Sequence, residues 1–112
     1  MEHRDFFLVE VILDYCDRIM ESVRDLDWKE FSDDLVMKDA TALRVLQIGE
    51  NAAHLSESFK TNHCQIPWHE IIGLRNVVAH EYGDIDDQVL WEIATIDIPK
   101  LRDYCAKIIG KE

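Results

Sequence analysis

The chain predicts an all-α fold: an antiparallel bundle of four main helices, a short extra helical turn and a proline-kinked last helix. Three observations predict it. Apolar residues recur at three- and four-residue steps along most of the 112 positions. No stretch shows the two-residue alternation of a half-buried strand. With 47% hydrophobic residues, four Gly and two Pro, the chain can build a core and is no disordered or collagen-like polymer. The length suits one domain, residues 1–112, and no linker, internal repeat or low-complexity tract divides it.

The first helix is expected over Asp5–Leu26. Leu8, Ile12, Tyr15, Ile19, Val23 and Leu26 step by four, three, four, four and three residues, one helical face. Val9, Leu13, Cys16 and Met20 form a second stripe beside it, while Glu10, Asp14, Asp17 and Glu21 hold the solvent side. So wide an apolar surface calls for two or more packing partners, one of which a second subunit can supply. Asp27 and Glu30, at capping-box spacing, open a short turn over residues 27–33. A second long helix is expected over about Asp34–Phe59, with Val36, Ala40, Leu43, Leu46 and Ala53 facing inward. Gly49, Ala52 and Ala53 are small enough to let another backbone come close. Residues 60–65 are polar and form a loop. Pro67 opens the third helix, where a missing N–H costs nothing. Trp68, Ile71, Leu74, Val78 and Tyr82 trace its face, and Gly83 ends it as the C′ residue. Asp84 or Asp86 starts the last helix, along Val89, Leu90, Ile93, Leu101, Tyr104, Cys105 and Ile108, and Pro99 kinks or splits it near Ile98.

Twelve Lys and Arg against twenty-three Asp and Glu give a net charge of −11. Such a surface repels phosphate at long range, which disfavours generic nucleic-acid binding, DNA included. Any action on RNA then needs a local site, or cations from a second chain. No uncharged run exceeds nine residues, so no membrane span is expected, and the charged start, residues 1–7, is not expected to be a signal peptide. Cys16, Cys64 and Cys105 are odd in number and far apart, which argues against a disulfide scaffold or zinc ribbon and for a reducing cytoplasm.

One stretch stands out for its chemistry. Arg75, Asn76, His80 and Tyr82 fall within eight residues of the third helix. On an ideal helix Asn76 and His80 lie about 40° apart and can touch, and Arg75 and Tyr82 return to within about 20°. Arg75 and His80 differ by about 140°, so one straight helix does not aim both at one atom. They converge if the helix distorts, if the long arginine curls round, or if two copies of the chain meet across a two-fold axis. The residue types suit RNA scission without a metal. Ribose carries its own nucleophile, a histidine can take or give a proton near neutrality, and an arginine fork matches phosphate oxygens. Asn76 can orient the imidazole or donate to the same phosphate. The plainer alternative pairs Arg75 with an acidic neighbour, sets His80 at a helix C-terminus and buries Tyr82 in the core.

Other groupings are weaker. Glu50 and His54 share a helical face and form half a metal site or a solvated ion pair, and Cys64 and His69 lack a second pair to complete a tetrahedral set. Trp28, Trp68 and Trp91 continue apolar helical patterns and are expected to anchor helices rather than stack on bases. The acidic stripe of the first helix is a solvated face, open to a basic partner.

The run Gly73 to Tyr82, followed by Asp84-Ile85-Asp86 and Val89 to Ile93, resembles the HepT-like branch of the HEPN superfamily. So do Val45 to Glu50, Pro67-Trp68 and Ile98 to Leu101, and the likeness extends from about Phe6 to Ile108. The resemblance implies a small helical toxin of a type VII toxin–antitoxin pair: a homodimeric ribonuclease that needs no metal or cofactor and whose motif lines a cleft between subunits. It implies Arg75 and His80 as the catalytic pair, Asn76 as a supporting polar residue, and tRNA or mRNA as substrate. It further implies a minimal nucleotidyltransferase antitoxin that transfers AMP to Tyr82. A different class of function stays open beside it, a non-catalytic helical subunit that binds nucleotide or a nucleotidyltransferase partner. The net charge favours that alternative.

Overall fold

The computed structural model describes residues 2–81 and 86–110, with the backbone alone for residues 79–81. Every regular element among these residues is helical. They are α1 (His3–Val23), α2 (Trp28–Asp33), α3 (Leu35–Ala53), α4 (Glu57–Asn62), α5 (Trp68–Glu81), α6 (Asp87–Glu92), a π-helical stretch (Ile93–Asp97) and α7 (Ile98–Gly110). None is long and apolar enough to cross a membrane.

Helix α1 packs on α3 along one flank and on α7 along the other. Both of its apolar stripes serve these contacts: Leu8, Ile12, Ile19 and Val23 from one stripe are buried, and so are Val9 and Cys16 from the other. Most of the surplus surface that argued for a second subunit is therefore covered within one chain, with Leu13, Tyr15, Met20 and Leu26 half-buried. Glu10, Asp14, Asp17 and Glu21 are exposed, as expected, and basic neighbours partly neutralise them, Arg18 reaching Asp14 at 2.8 Å and Arg102 reaching Asp17 at 3.0 Å. Burial pushes the Cys105 thiol up to about 12 and raises Cys16, beside it, further still, so both stay protonated and inert.

Short-range capping follows the sequence. The Asp27 carboxylate accepts from the Glu30 N–H at 2.8 Å and the Glu30 carboxylate from the Asp27 N–H at 3.1 Å, a closed capping box. It sets α2 so that Phe31, fully buried, meets Trp91 with ring centroids 5.0 Å apart. Asp86, rather than the alternative Asp84, caps α6 by accepting from the Gln88 N–H; Asp84 and Gly83 lie outside the described residues. Trp68 and Trp91 do anchor helices, whereas Trp28 is 39% exposed.

Two expectations need correction. The helix expected over 34–59 is two helices, broken at His54–Ser56, and Lys60–Asn62 belong to the second of them rather than to a loop. Buried Asp5 makes the break: its carboxylate accepts from the Ser56 N–H at 2.9 Å and the Ser56 hydroxyl at 2.7 Å, and Ser56 Oγ in turn caps α4 at Phe59. The inward face of α3 is also different. Thr41, Ala42, Val45, Ile48, Gly49 and Ala52 are buried, while Val36 and Leu43 are 79% and 57% exposed. Small residues lie on the packed side because α5 comes so close. The expectation for Pro99 holds: the last helix is split next to Ile98, where α7 begins, and the Ile98 N–H bonds to the Ile93 carbonyl, five residues back. A proline ring crowds the carbonyl four residues earlier, and a widened turn relieves that crowding.

The main contacts join α5 to α3, α3 to α1 and α1 to α7. Across the remaining gap, Glu70, Ile71 and Leu74 of α5 face Lys100, Leu101 and Tyr104 of α7 over a cavity of about 350 Å³.

Candidate functional site

The segment that brings α5 to its place is short and heavily tied. Phe59 and Trp68 pack with ring centroids 5.8 Å apart, and the Trp68 indole N–H donates to the His63 carbonyl at 3.0 Å. The Pro67 carbonyl accepts from the Ile71 N–H at 3.1 Å, so the proline stands just before the helix and its carbonyl starts the helical ladder. From there Trp68, Ile71 and Val78 are buried and Leu74 is half-buried, as the apolar spacing predicts. This fixes the rotation of α5 about its axis, and with it the direction of Arg75.

Arg75 sits where α5 lies hardest against α3. A Cβ added to Gly49 would stand 2.9 Å from the Arg75 Cβ, 3.0 Å from the Arg75 nitrogen and 3.2 Å from the Ile71 carbonyl oxygen. A glycine is thus required for this approach rather than for any turn. The arginine leaves that seam toward solvent, its side chain 32% exposed, and its Nη1 lies 3.4 Å from Glu50 Oε1. The contact is longer than a good charge-assisted hydrogen bond and half in water, so it contributes about 0–1 kcal/mol to stability. Arg75 therefore pairs with an acidic neighbour, as the plainer alternative held, but loosely and at the surface.

Asn76 is exposed on the same helix. The backbone of His80 is helical in α5; its side chain lies outside the described residues, and so does Tyr82 altogether. The contacts expected between Asn76 and His80, and of Arg75 with His80 or Tyr82, fall there too. Glu50, weighed from sequence only with His54, turns to Arg75 instead, and His54 is exposed. Cys64 and His69 are likewise exposed, and no three His, Cys, Asp or Glu among the described residues are grouped to hold a metal ion. Spacing along the chain missed Glu50 as a neighbour of Arg75. The available signal was Gly49: a small residue that admits a second helix carries its sequence neighbour to the edge of that contact.

The chain can be placed among known proteins. The sequence profile of one family, described as Ribonuclease HepT-like, matches residues 12–108. A protein of Caldanaerobacter subterraneus subsp. tengcongensis named "Putative RNase" is 32% identical over 104 residues, covering 93% of this chain and 93% of that protein. One of the same name from Methanocaldococcus jannaschii is 32% identical over 91 residues, 81% of this chain and 84% of its own length. A "Probable ribonuclease HepT" of Thermococcus cleftensis is 30% identical over 106 residues, 95% of this chain and 94% of that one. No solved structure matches.

Proposed function

The chain belongs to the HepT-like ribonuclease family, and from that premise we propose that it is the toxin of a two-component toxin–antitoxin pair, cutting RNA through Arg75 and His80. One observation carries the reading: the family match spans residues 12–108 and so contains Arg75, Asn76, His80 and Tyr82. The half-exposed guanidinium at the α3–α5 seam supports it, because a phosphate can reach that group without unfolding anything.

The chemistry follows from the groups. An imidazole takes the proton of the ribose 2′-hydroxyl, and the freed oxygen attacks the adjacent phosphorus. The bond to the 5′-oxygen breaks, and a second imidazole protonates that leaving oxygen. The products are a 2′,3′-cyclic phosphate and a 5′-hydroxyl end. Arg75 binds the phosphate oxygens as negative charge concentrates on them, with Asn76 donating beside it. None of these steps requires a metal.

The two imidazoles come from two copies of the chain. The face of α3 that packing leaves bare offers the surface, with Leu35, Val36 and Leu43 at 65%, 79% and 57% exposure. Val36, Leu43 and Glu50 are spaced by seven residues, hence nearly in line along the helix, so a dimer on this face has the Glu50–Arg75 edge of each chain beside the contact. Wild type is expected to sediment as a dimer at micromolar concentration, and Leu43→Glu to shift it toward monomer. A wild-type monomer under those conditions removes the two-copy cleft.

The partner in this reading is a minimal nucleotidyltransferase that adds AMP to Tyr82. The adduct brings bulk and negative charge to the motif, which excludes an RNA phosphate.

The test is incubation of the purified chain with labelled tRNA and mRNA, with and without EDTA. Cleavage is expected in both, to the same extent. A second reading is favoured by the Glu50–Arg75 contact and the charge of −11: a helical subunit that binds nucleotide or partner without cutting. That subunit leaves both RNAs intact.

A further inference from the structure

The geometry points to Glu50 as a positioning residue for Arg75: it holds the guanidinium at the outer edge of the α3–α5 seam, oriented before a phosphate arrives. The inference rests on the proposed role of Arg75 in binding RNA phosphate, and it adds a residue that the motif does not contain.

Three features carry it. Gly49 brings the α3 backbone so near that a Cβ added there would stand 2.9 Å from the Arg75 Cβ, and from that seam the arginine reaches out to Glu50. Glu50 follows Gly49 directly and is 45% exposed, with Oε1 3.4 Å from Arg75 Nη1. Among the described salt bridges Arg75 is its one partner. The neighbouring Asn51 amide does not compete, since it donates to the Gln47 carbonyl within its own helix at 2.8 Å.

The contact engages Nη1 alone, which leaves most of the N–H donors of the guanidinium unengaged by Glu50. A long, half-hydrated ion pair orients a side chain without saturating it. An untethered arginine must give up its rotamer freedom when the phosphate binds, whereas one already held has lost much of it. The neighbouring charge cannot be the useful part, because a carboxylate repels the approaching phosphate. The acceptor oxygen is the useful part, and this separates two substitutions of Glu50.

The experiment measures kcat and KM on a defined RNA oligonucleotide for wild type, Glu50→Ala, Glu50→Gln and Arg75→Ala. It also measures the heteronuclear NOE of the Arg75 side-chain Nε–H, which reports the order of that group with no RNA present. Glu50→Ala is expected to lower kcat/KM by up to about fivefold, mainly through kcat, and to lower the Arg75 NOE. Glu50→Gln, which keeps an acceptor oxygen, is expected to recover most of both. On an Arg75→Ala background, Glu50→Ala is expected to cost nothing further. Glu50→Ala at or above wild-type activity, an unchanged NOE, or equal losses in the two Glu50 variants overturns the positioning role. Arg75→Ala matching wild type instead overturns the reading of Arg75 itself, whatever Glu50 does to the NOE.

Discussion

RNA cleavage is expected to fall by about two to four orders of magnitude in His80→Ala, and by about two to three in Arg75→Ala. The two losses have different origins. Without an imidazole, water must take up the 2′-hydroxyl proton, at a pH where it is a far weaker base than histidine. Without the guanidinium, the charge that builds on the phosphate oxygens has no fixed cation, in a chain whose net charge of −11 supplies none at long range. Arg75→Lys keeps the charge but not the planar fork, and so is expected to fall between wild type and Arg75→Ala. Stability is expected to change little. Arg75 is half-exposed, and its ion pair with Glu50 is of the kind that contributes about 0–1 kcal/mol. Initial rates on one oligonucleotide, with circular dichroism and thermal unfolding of each variant, separate lost chemistry from lost fold. The double variant is expected to be little worse than His80→Ala, because groups acting on one transition state do not add. Full activity in both single variants would falsify the assignment of roles.

The features legible in the sequence are those whose causes are local. The Asp27–Glu30 box closes over three residues, and the face of α5 through Trp68, Ile71 and Val78 repeats at a helical step. The features that escaped depend on partners far along the chain. The break at Ser56 has one local sign, an N-cap serine ahead of Glu57, but the group that holds it is the buried carboxylate of Asp5, 51 residues earlier. Helix α3 has apolar residues on more than one side, so its pattern does not say which side packs. Val36 and Leu43 looked like core and are bare, while the Ala42, Val45, Ile48 and Ala52 face is covered. Pro99 marked the split near Ile98 but not its π-helical form, since the strain falls on a carbonyl one turn earlier. At the site, the motif was visible as residue types. Its acidic neighbour was not, because Glu50 and Arg75 are 25 residues apart and meet only through the close approach of two helices.

That close approach gives the largest expected effect on folding. Gly49→Leu is expected to cost about 3 kcal/mol of stability and to remove RNA cleavage along with it. The first added carbon would already stand 2.9 Å from the Arg75 Cβ and 3.0 Å from its backbone nitrogen. Neither atom can rotate aside, so α5 as a whole must move away from α3, and the rest of the leucine drives it further. A shift of that kind takes Arg75 off the position from which it meets phosphate, and misplacement by about an ångström costs about a hundredfold in rate. Gly73 provides the contrast within the same motif helix. An added Cβ there has nothing within 4 Å, and Gly73→Ala is expected to stabilise by up to about 1 kcal/mol through helix propensity alone. Gly49→Ala gains the same propensity and meets the same clash as the leucine's first carbon, so it should lie between wild type and Gly49→Leu. Urea unfolding of the three variants fixes the order. If Gly49→Leu proves as stable as wild type, α3 and α5 do not touch at Arg75, and the seam that holds the guanidinium at the surface loses its basis.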